Sequence, residues 1–179
     1  MPFDVYSSFI SECYLDTNLV ETILKVLNCV NHRKGNSNVV GCMEEEKFKD
    51  KFFVAVIDDD KVKVRGLEKY KLVERLSRNG LKLFEHLSKK HYLIQLSPAI
   101  ERWLMNECGK GGINLADFGF PDNIKGWKNL KSRTQRNDEQ FKTLFKLMLK
   151  NEKCDEIIEL KRWLEFFKIN NYNTNLDLL

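Results

Sequence analysis

Several features that would assign this chain to a familiar class are absent from its sequence. No window approaches the roughly 18 apolar residues that are needed to cross a bilayer, and the N-terminal Met1-Pro2-Phe3-Asp4 has neither the basic nor the apolar region of a secretory signal. The five cysteines are far apart and form no CxxC pair, which argues against a zinc site and against a disulfide framework. The sequence therefore predicts a cytoplasmic protein with reduced cysteines and no membrane partner.

Motifs for nucleotide hydrolysis and for triad catalysis are also absent. The glycine-rich Gly109-Lys110-Gly111-Gly112 does not have the GxxxxGK[ST] spacing of a phosphate-binding loop. The three histidines, at positions 32, 86 and 91, show no triad spacing with Ser or Cys and are interpreted as structural. We interpret the glycine-rich stretch as a boundary between a core at 1–108 and a helical C-terminal appendage at 109–179 that packs on it.

Positive charge is concentrated in one segment. The net charge is +4, but residues 125–150 contain eight Lys or Arg against two acids. A basic patch of this kind suits a phosphate backbone, although many such runs are only solvated faces. The candidate nucleic-acid-binding residues are Lys125, Lys128, Lys131, Arg133 and Arg136.

The most informative stretch is an unbroken apolar run that ends in three carboxylates. Residues 52–57 (FFVAVI) are followed by Asp58-Asp59-Asp60. Such a run predicts a strand buried on both faces, at the centre of an α/β sheet. Open α/β sheets bind ligands beyond the carboxyl ends of their strands, and side chains two apart point the same way. Asp58 and Asp60 could therefore share one hard cation.

Other elements follow from periodicity, capping and turn signals. Strands are predicted at Val5–Ser11, Val39–Met43, Leu81–Leu87 and His91–Leu96. Helices are predicted from Asp16-Thr17-Asn18 to about Val30, at Leu67–Leu76, from Ser97-Pro98 to about Glu107, at Asp138–Lys150 capped by Asn137, and over Ile157–Phe167. The tail from Asn170 is predicted to be loose.

The predicted elements come in the order strand, Glu12, helix, strand, acidic strand end, helix and strand. This order resembles that of the Toprim domain of topoisomerases, primases and OLD-type nucleases. In that family a first strand ends in Glu, often as E-G-x-[TS]-D, and a later strand ends in D-x-D. The matching segments here are Glu12-Cys13-Tyr14-Leu15-Asp16 and Asp58-Asp59-Asp60, with Cys13 and Leu15 departing from the pattern. Residues 97–104 (SPAIERWL) are also similar to a stretch in small Toprim-like proteins of phage-defence loci.

The resemblance covers about residues 5–107 and implies a three-layer sandwich around a mostly parallel sheet. It also implies Mg²⁺ (or Mn²⁺) held by Asp58 and Asp60, with Glu12 as general acid/base or a further ligand. Asp16 would hold a second ion or cap a helix, and Glu101 and Lys61 are secondary candidates. By this resemblance the expected activity is that of a nuclease on DNA rather than RNA, and the expected setting is phage defence. Any ATPase partner would be a separate protein.

Alternative interpretations remain open. Asp58-Asp59-Asp60-Lys61-Val62 also fits the D-x-D-x-[TV] pattern of haloacid-dehalogenase-type phosphatases, in which the first Asp is a nucleophile. A nucleotide-sugar transferase with a D-x-D metal site would lack room for a donor domain. The remaining alternative is a catalytically inactive Toprim-like module that binds nucleic acid or protein.

Overall fold

The chain forms an α/β structure around one six-stranded sheet. We describe residues 8–59 and 64–179 of a computed structural model. The strands are β1 Phe9–Ser11, β2 Val30–His32, β3 Phe53–Asp58, β4 Tyr70–Leu72, β5 Leu81–His86 and β6 His91–Leu96. The helices of this part of the chain are α1 Tyr14–Leu24, α2 Asn36–Met43, α3 Ile100–Gly111, α4 Ile124–Arg133, α5 Glu139–Met148 and α6 Asp155–Asn170.

The sheet is mostly parallel, and its order brings the two acidic strand ends together. The strand order is β2-β1-β3-β6-β5-β4, in which β2, β1, β3 and β6 are parallel and β5 and β4 form an antiparallel edge. Strand β1 pairs with β3 so that Ser11 lies opposite Val56. The chain that leaves β1 at Glu12 therefore runs beside the end of β3 at Asp58.

Both faces of the sheet are covered, and β3 shows why its sequence is apolar throughout. Val54 and Val56 point into a cluster formed with α1 and the helices after the sheet, whereas Phe53, Ala55 and Ile57 point into a second cluster with α2. Every residue of β3 is buried. The predicted central strand, covered on both faces, is confirmed.

The C-terminal helices pack into the larger of these clusters. Trp103 of α3, Trp127 of α4 and Trp163 of α6 are all among its fully buried side chains. Helix α3 continues to Gly111 and ends at Gly112, whose φ of 64° is a left-handed conformation that glycine adopts readily. The division into domains at residue 109 stays a prediction.

Two predicted elements are wrong because tertiary contacts override local propensity. The predicted strand at Val39–Met43 lies in α2, where Val39, Val40 and Met43 pack against the sheet. Its place in the sheet is taken by β2, which is only three residues long. The predicted helix at Leu67–Leu76 is instead a 3₁₀ turn followed by β4, whose residues pair with β5.

Boundaries and caps differ in smaller ways. Helix α1 ends at Leu24 rather than near Val30. Asp138, not Asn137, caps α5, because its carboxylate accepts hydrogen bonds from the backbone of Gln140 and Phe141. The tail forms two 3₁₀ turns, and Leu176 is buried there. No helix within the described residues is long and apolar enough to span a membrane.

Candidate active site

Asp58 lies at the end of the central strand β3, where four elements meet. Its side chain is 1% exposed. The side chain of Asn36, the first residue of α2, bonds both the backbone carbonyl (2.9 Å) and the backbone N–H (3.2 Å) of Asp58. Asp58 Oδ1 accepts from the backbone N–H of Ile100 (2.9 Å), and Oδ2 accepts from Lys131 Nζ (2.6 Å). Asp58 thus ties β3 to α2, α3 and α4.

The bond to Ile100 places Asp58 at the N-terminus of α3. The N-cap of this helix, Ala99, has no side-chain acceptor, so the Asp58 carboxylate binds one of the otherwise free helix amides. A carboxylate is favoured there by the helix dipole as well. Ser97, predicted to begin this helix, instead donates to Asp59 Oδ2 (2.7 Å).

Lys131 is the cation at the centre of the cluster. Its ammonium lies 2.6 Å from Asp58 and 3.5 Å from Glu101 Oε1, and its side chain is only 20% exposed. Burial opposes the charged form, but the neighbouring Asp58, Cys13 and Asp16 raise the pKa of Lys131 above its ordinary value. Lys131 therefore stays charged and offsets part of the negative charge.

Asp16 approaches the same point from α1. It is fully buried at the third helical position, where Oδ2 accepts from the backbone N–H (3.1 Å) and the thiol (3.0 Å) of Cys13. Asp16 Oδ1 has no hydrogen-bond partner among the described residues. Burial and the nearby Asp58 carboxylate raise the pKa of Asp16 well above its usual range. Burial likewise raises the pKa of Asp58, against the opposing effect of Lys131.

The remaining acids, Glu12 and Glu101, line a cavity of about 500 Å³ beside Lys131. Glu12 follows β1 directly, and Glu101 lies in the first turn of α3. The other lining residues are Cys13, Tyr14, His32, Lys34, Gly35, Lys128, Ser132 and Thr134. The structure therefore brings four of the predicted acids to one end of the sheet. Asp60 and Lys61 lie outside the described residues.

The predicted basic residues have different environments. Lys128 and Lys131 line the cavity, whereas Lys125 and Arg133 are exposed on α4. Arg136 donates to the buried Glu21 carboxylate and to the backbone carbonyl of Val30 (2.8 Å), so it holds β2 against α1. Its predicted role in nucleic-acid binding stays a prediction.

Three contributors to this region are not predicted from the sequence: Asn36, the stacked rings of Tyr14 and His32, whose centroids lie 4.2 Å apart, and the internal role of Lys131. Lys131 lies four residues after the buried Trp127, so helical spacing places both on the inward face of α4. This four-residue spacing is the sequence signal that could have placed Lys131 on the inward face of α4. Nothing local in the sequence indicates that Asn36 would bind the backbone of a residue 22 positions away.

The described acids offer suitable ligand atoms for a metal but do not surround one point. Within residues 8–59 and 64–179, no group of three or more His, Cys, Asp or Glu side chains is arranged to hold an ion. The acids do supply the oxygen ligands that Mg²⁺ prefers, and Asp16 Oδ1 is a buried acceptor without a donor. Comparison with family models, curated proteins and solved structures finds no match, so these features stand on this chain alone.

Proposed function

We propose that this end of the sheet carries out metal-dependent phosphodiester chemistry on nucleic acid, in a Toprim-like fold. The observation that supports this most is the charge balance around Lys131. Within residues 8–59 and 64–179, Asp58 and Glu101 pair with the largely buried ammonium of Lys131, Asp16 interacts with it electrostatically, and Glu12 lines the adjoining cavity. One buried oxygen of Asp16 has no donor among these residues. Excess negative charge at a buried site favours a divalent cation.

Asp58 and Asp16, with Glu12 as the general base or as a further ligand, would have to move together to hold Mg²⁺ or Mn²⁺, because the described acids do not already surround one point. The cation would compete with Lys131 for Asp58. By the D-x-D pattern, Asp60 would be a further ligand of the same metal. The bound metal would supply Lewis acidity at a phosphate oxygen. Glu12, on the cavity wall, would accept the proton of an attacking water, and Lys128 and Lys131 would bind phosphate. By the resemblance alone, DNA is the expected substrate, phage defence the expected setting and a separate ATPase a possible partner.

Two neighbouring aspartates allow a matched test of this proposal. Asp58 points into the cluster, whereas Asp59 is held elsewhere by Lys82 (2.7 Å) and Ser97 (2.7 Å). Asp58→Asn is expected to reduce cleavage of single-stranded, duplex and plasmid DNA in Mg²⁺ or Mn²⁺ by at least about 100-fold, because a neutral amide is a much weaker metal ligand. Asp59→Asn should retain cleavage. Circular dichroism would establish that both variants are folded.

A second candidate function is supported by the ion pair itself. Because Lys131 already neutralises Asp58, the same fold would serve as a catalytically inactive module that binds nucleic acid. Thermal melting separates the two candidates, since a ligand that binds the native state raises its melting temperature. Stabilisation by Mg²⁺ that is lost in Asp58→Asn supports the metal site. Salt-sensitive DNA binding that survives in Asp58→Asn, with neither cleavage nor stabilisation by Mg²⁺ in wild type, would contradict the enzymatic proposal.

A further inference from the structure

An aromatic pair stands at the edge of the candidate active site. Tyr14, the first residue of α1, stacks on His32, the last residue of β2, with ring centroids 4.2 Å apart and planes inclined by 14°. Tyr14 remains 39% exposed and belongs to neither apolar cluster of the core. The pair is therefore an aromatic surface that the packing of the fold does not account for.

The position of this pair is fixed by the residue that leads into the site. The backbone of Glu12 forms a hydrogen bond with the His32 ring. Because Tyr14 remains partly exposed, a further ring could stack on its exposed surface.

The surroundings combine aromatic, basic and acidic groups in one cavity. Tyr14 and His32 line the same cavity of about 500 Å³ as Glu12 and Glu101, and the exposed Lys34 and Lys128 lie in its wall. This volume is within the usual range, roughly 300–1,000 Å³, of small-molecule sites. Aromatic faces beside lysines are the combination by which proteins bind unpaired nucleotides, through base stacking and phosphate contacts.

We propose that the Tyr14–His32 pair stacks with an unpaired base and that Lys34 and Lys128 bind the adjoining phosphates, so that the site acts on single-stranded nucleic acid. This inference rests on the proposed function, which it makes more specific. Inside a duplex both faces of a base are covered by its neighbours, so only an unpaired or flipped base presents a face to Tyr14. Stacking also tolerates every base, which predicts little sequence preference.

The test measures binding of fluorescent oligonucleotides about a dozen nucleotides long, single-stranded or in a duplex of the same sequence, by anisotropy. Ca²⁺ replaces Mg²⁺ as the divalent cation, and gel electrophoresis checks that the probe is intact. Tyr14→Leu removes the aromatic face while keeping an apolar side chain, and Tyr14→Phe keeps the face. Lys128→Ala removes a charge from the cavity wall, with Lys146→Ala on the exposed side of α5 as its matched control.

Wild type is expected to prefer the single strand. Tyr14→Leu should weaken that binding by about 5- to 150-fold, the range expected for loss of one stacked base, with little change for the duplex. Tyr14→Phe should bind within about 2-fold of wild type, and Lys128→Ala should weaken binding more than Lys146→Ala. Equal affinity for both probes, with no effect of Tyr14→Leu, would overturn the stacking proposal but leave the proposed function intact. Absence of binding to either probe would overturn both.

Discussion

At the scale of single residues, His91 shows how burial shifts the pKa of a side chain. It is fully buried in β6, with Nε2 3.2 Å from the backbone carbonyl of Phe48. Burial lowers the pKa of His91 from 6.5 to about 4. Its neighbour His86 lies 3.2 Å from the Glu44 carboxylate, and the pKa of Glu44, although raised by burial, is lowered overall to about 2 by Lys69, Lys89 and His86.

These shifts predict a loss of stability in mild acid that depends on His91. Between pH 6.5 and about 4 the unfolded chain binds a proton at residue 91 that the folded chain does not, so the free energy of unfolding falls as the pH falls. For His91 alone the loss is about 2 kcal/mol at about pH 5. Urea unfolding at about pH 7.5 and about pH 5 should show that His91→Gln reduces the difference between the two pH values by this amount.

His91→Gln also loses packing contacts, but this loss lowers the free energy of unfolding equally at both pH values. It therefore cancels in the difference between them. Glu44 acts in a lower window, because its contribution is present above 4.5 and is lost as the pH falls towards 2. An unchanged pH dependence in His91→Gln would contradict the assignment to His91.

The candidate site was predictable residue by residue only where local sequence determines position. Glu12 follows one apolar strand and Asp58 ends another, and parallel strands have their carboxyl ends at one edge of the sheet, so the convergence of the two residues could be expected. The contact between Lys131 and Asp58 joins residues 73 positions apart and depends on how α4 packs on the core. For that reason the sequence predicts Lys131 only as one of five candidate nucleic-acid-binding residues.

At the scale of elements, α3 and α6 are joined by a buried carboxylate. Glu107 is fully buried, and its Oε2 accepts from the backbone N–H groups of Glu156 (3.0 Å) and Ile157 (3.2 Å) in the first turn of α6. Lys110 pairs with Oε1 at 2.7 Å. The side chain of the N-cap residue of α6, Cys154, accepts no hydrogen bond from the helix amides, so Glu107 satisfies the amides at this helix end.

Glu107→Ala is therefore expected to lower the free energy of unfolding by about 3 kcal/mol, because it leaves the backbone amides of Glu156 and Ile157 without their acceptor and opens a buried space, although Lys110 keeps its pairs with Asp155 and Glu156. Urea denaturation followed by tryptophan fluorescence measures this loss. Glu152→Ala, at an exposed position shortly before α6, is the control and should change stability by less than about 0.5 kcal/mol. Equal stability of the two variants would show that Glu107 does not hold the two helices together.

The length and pattern of an element decide whether the sequence predicts it. Strands β3, β5 and β6 and helices α3, α5 and α6 have long periodic or apolar patterns, and their predicted positions are correct to within a few residues. Strands β2 and β4 have three residues each and form only by pairing with β1 and β5. Such short strands carry too little local signal to be recognised, and the β-branched Val39-Val40 in α2 gave a misleading one.

At the scale of the whole molecule, one apolar cluster joins a face of the sheet to α1 and to the helices after it. It contains Val54 and Val56 of the central strand together with Phe141, Phe145 and Leu164 of the C-terminal helices. Asn18 adds a polar link, because its side chain donates to the backbone carbonyl of Gln135 (2.8 Å) and accepts from the N–H of Asp138 (3.2 Å). Residues on both sides of position 109 therefore contribute to one shared core.

This shared core predicts a single cooperative unfolding transition rather than separate transitions for 1–108 and 109–179. Far-ultraviolet circular dichroism reports on the sheet and helices, whereas fluorescence reports on the buried Trp103, Trp127 and Trp163. The two signals should follow one urea curve, and a fragment ending at Gly112 should show no cooperative transition, because its half of the cluster would face water. Two separate transitions, or a fragment that folds alone, would instead establish the C-terminal helices as an independent appendage.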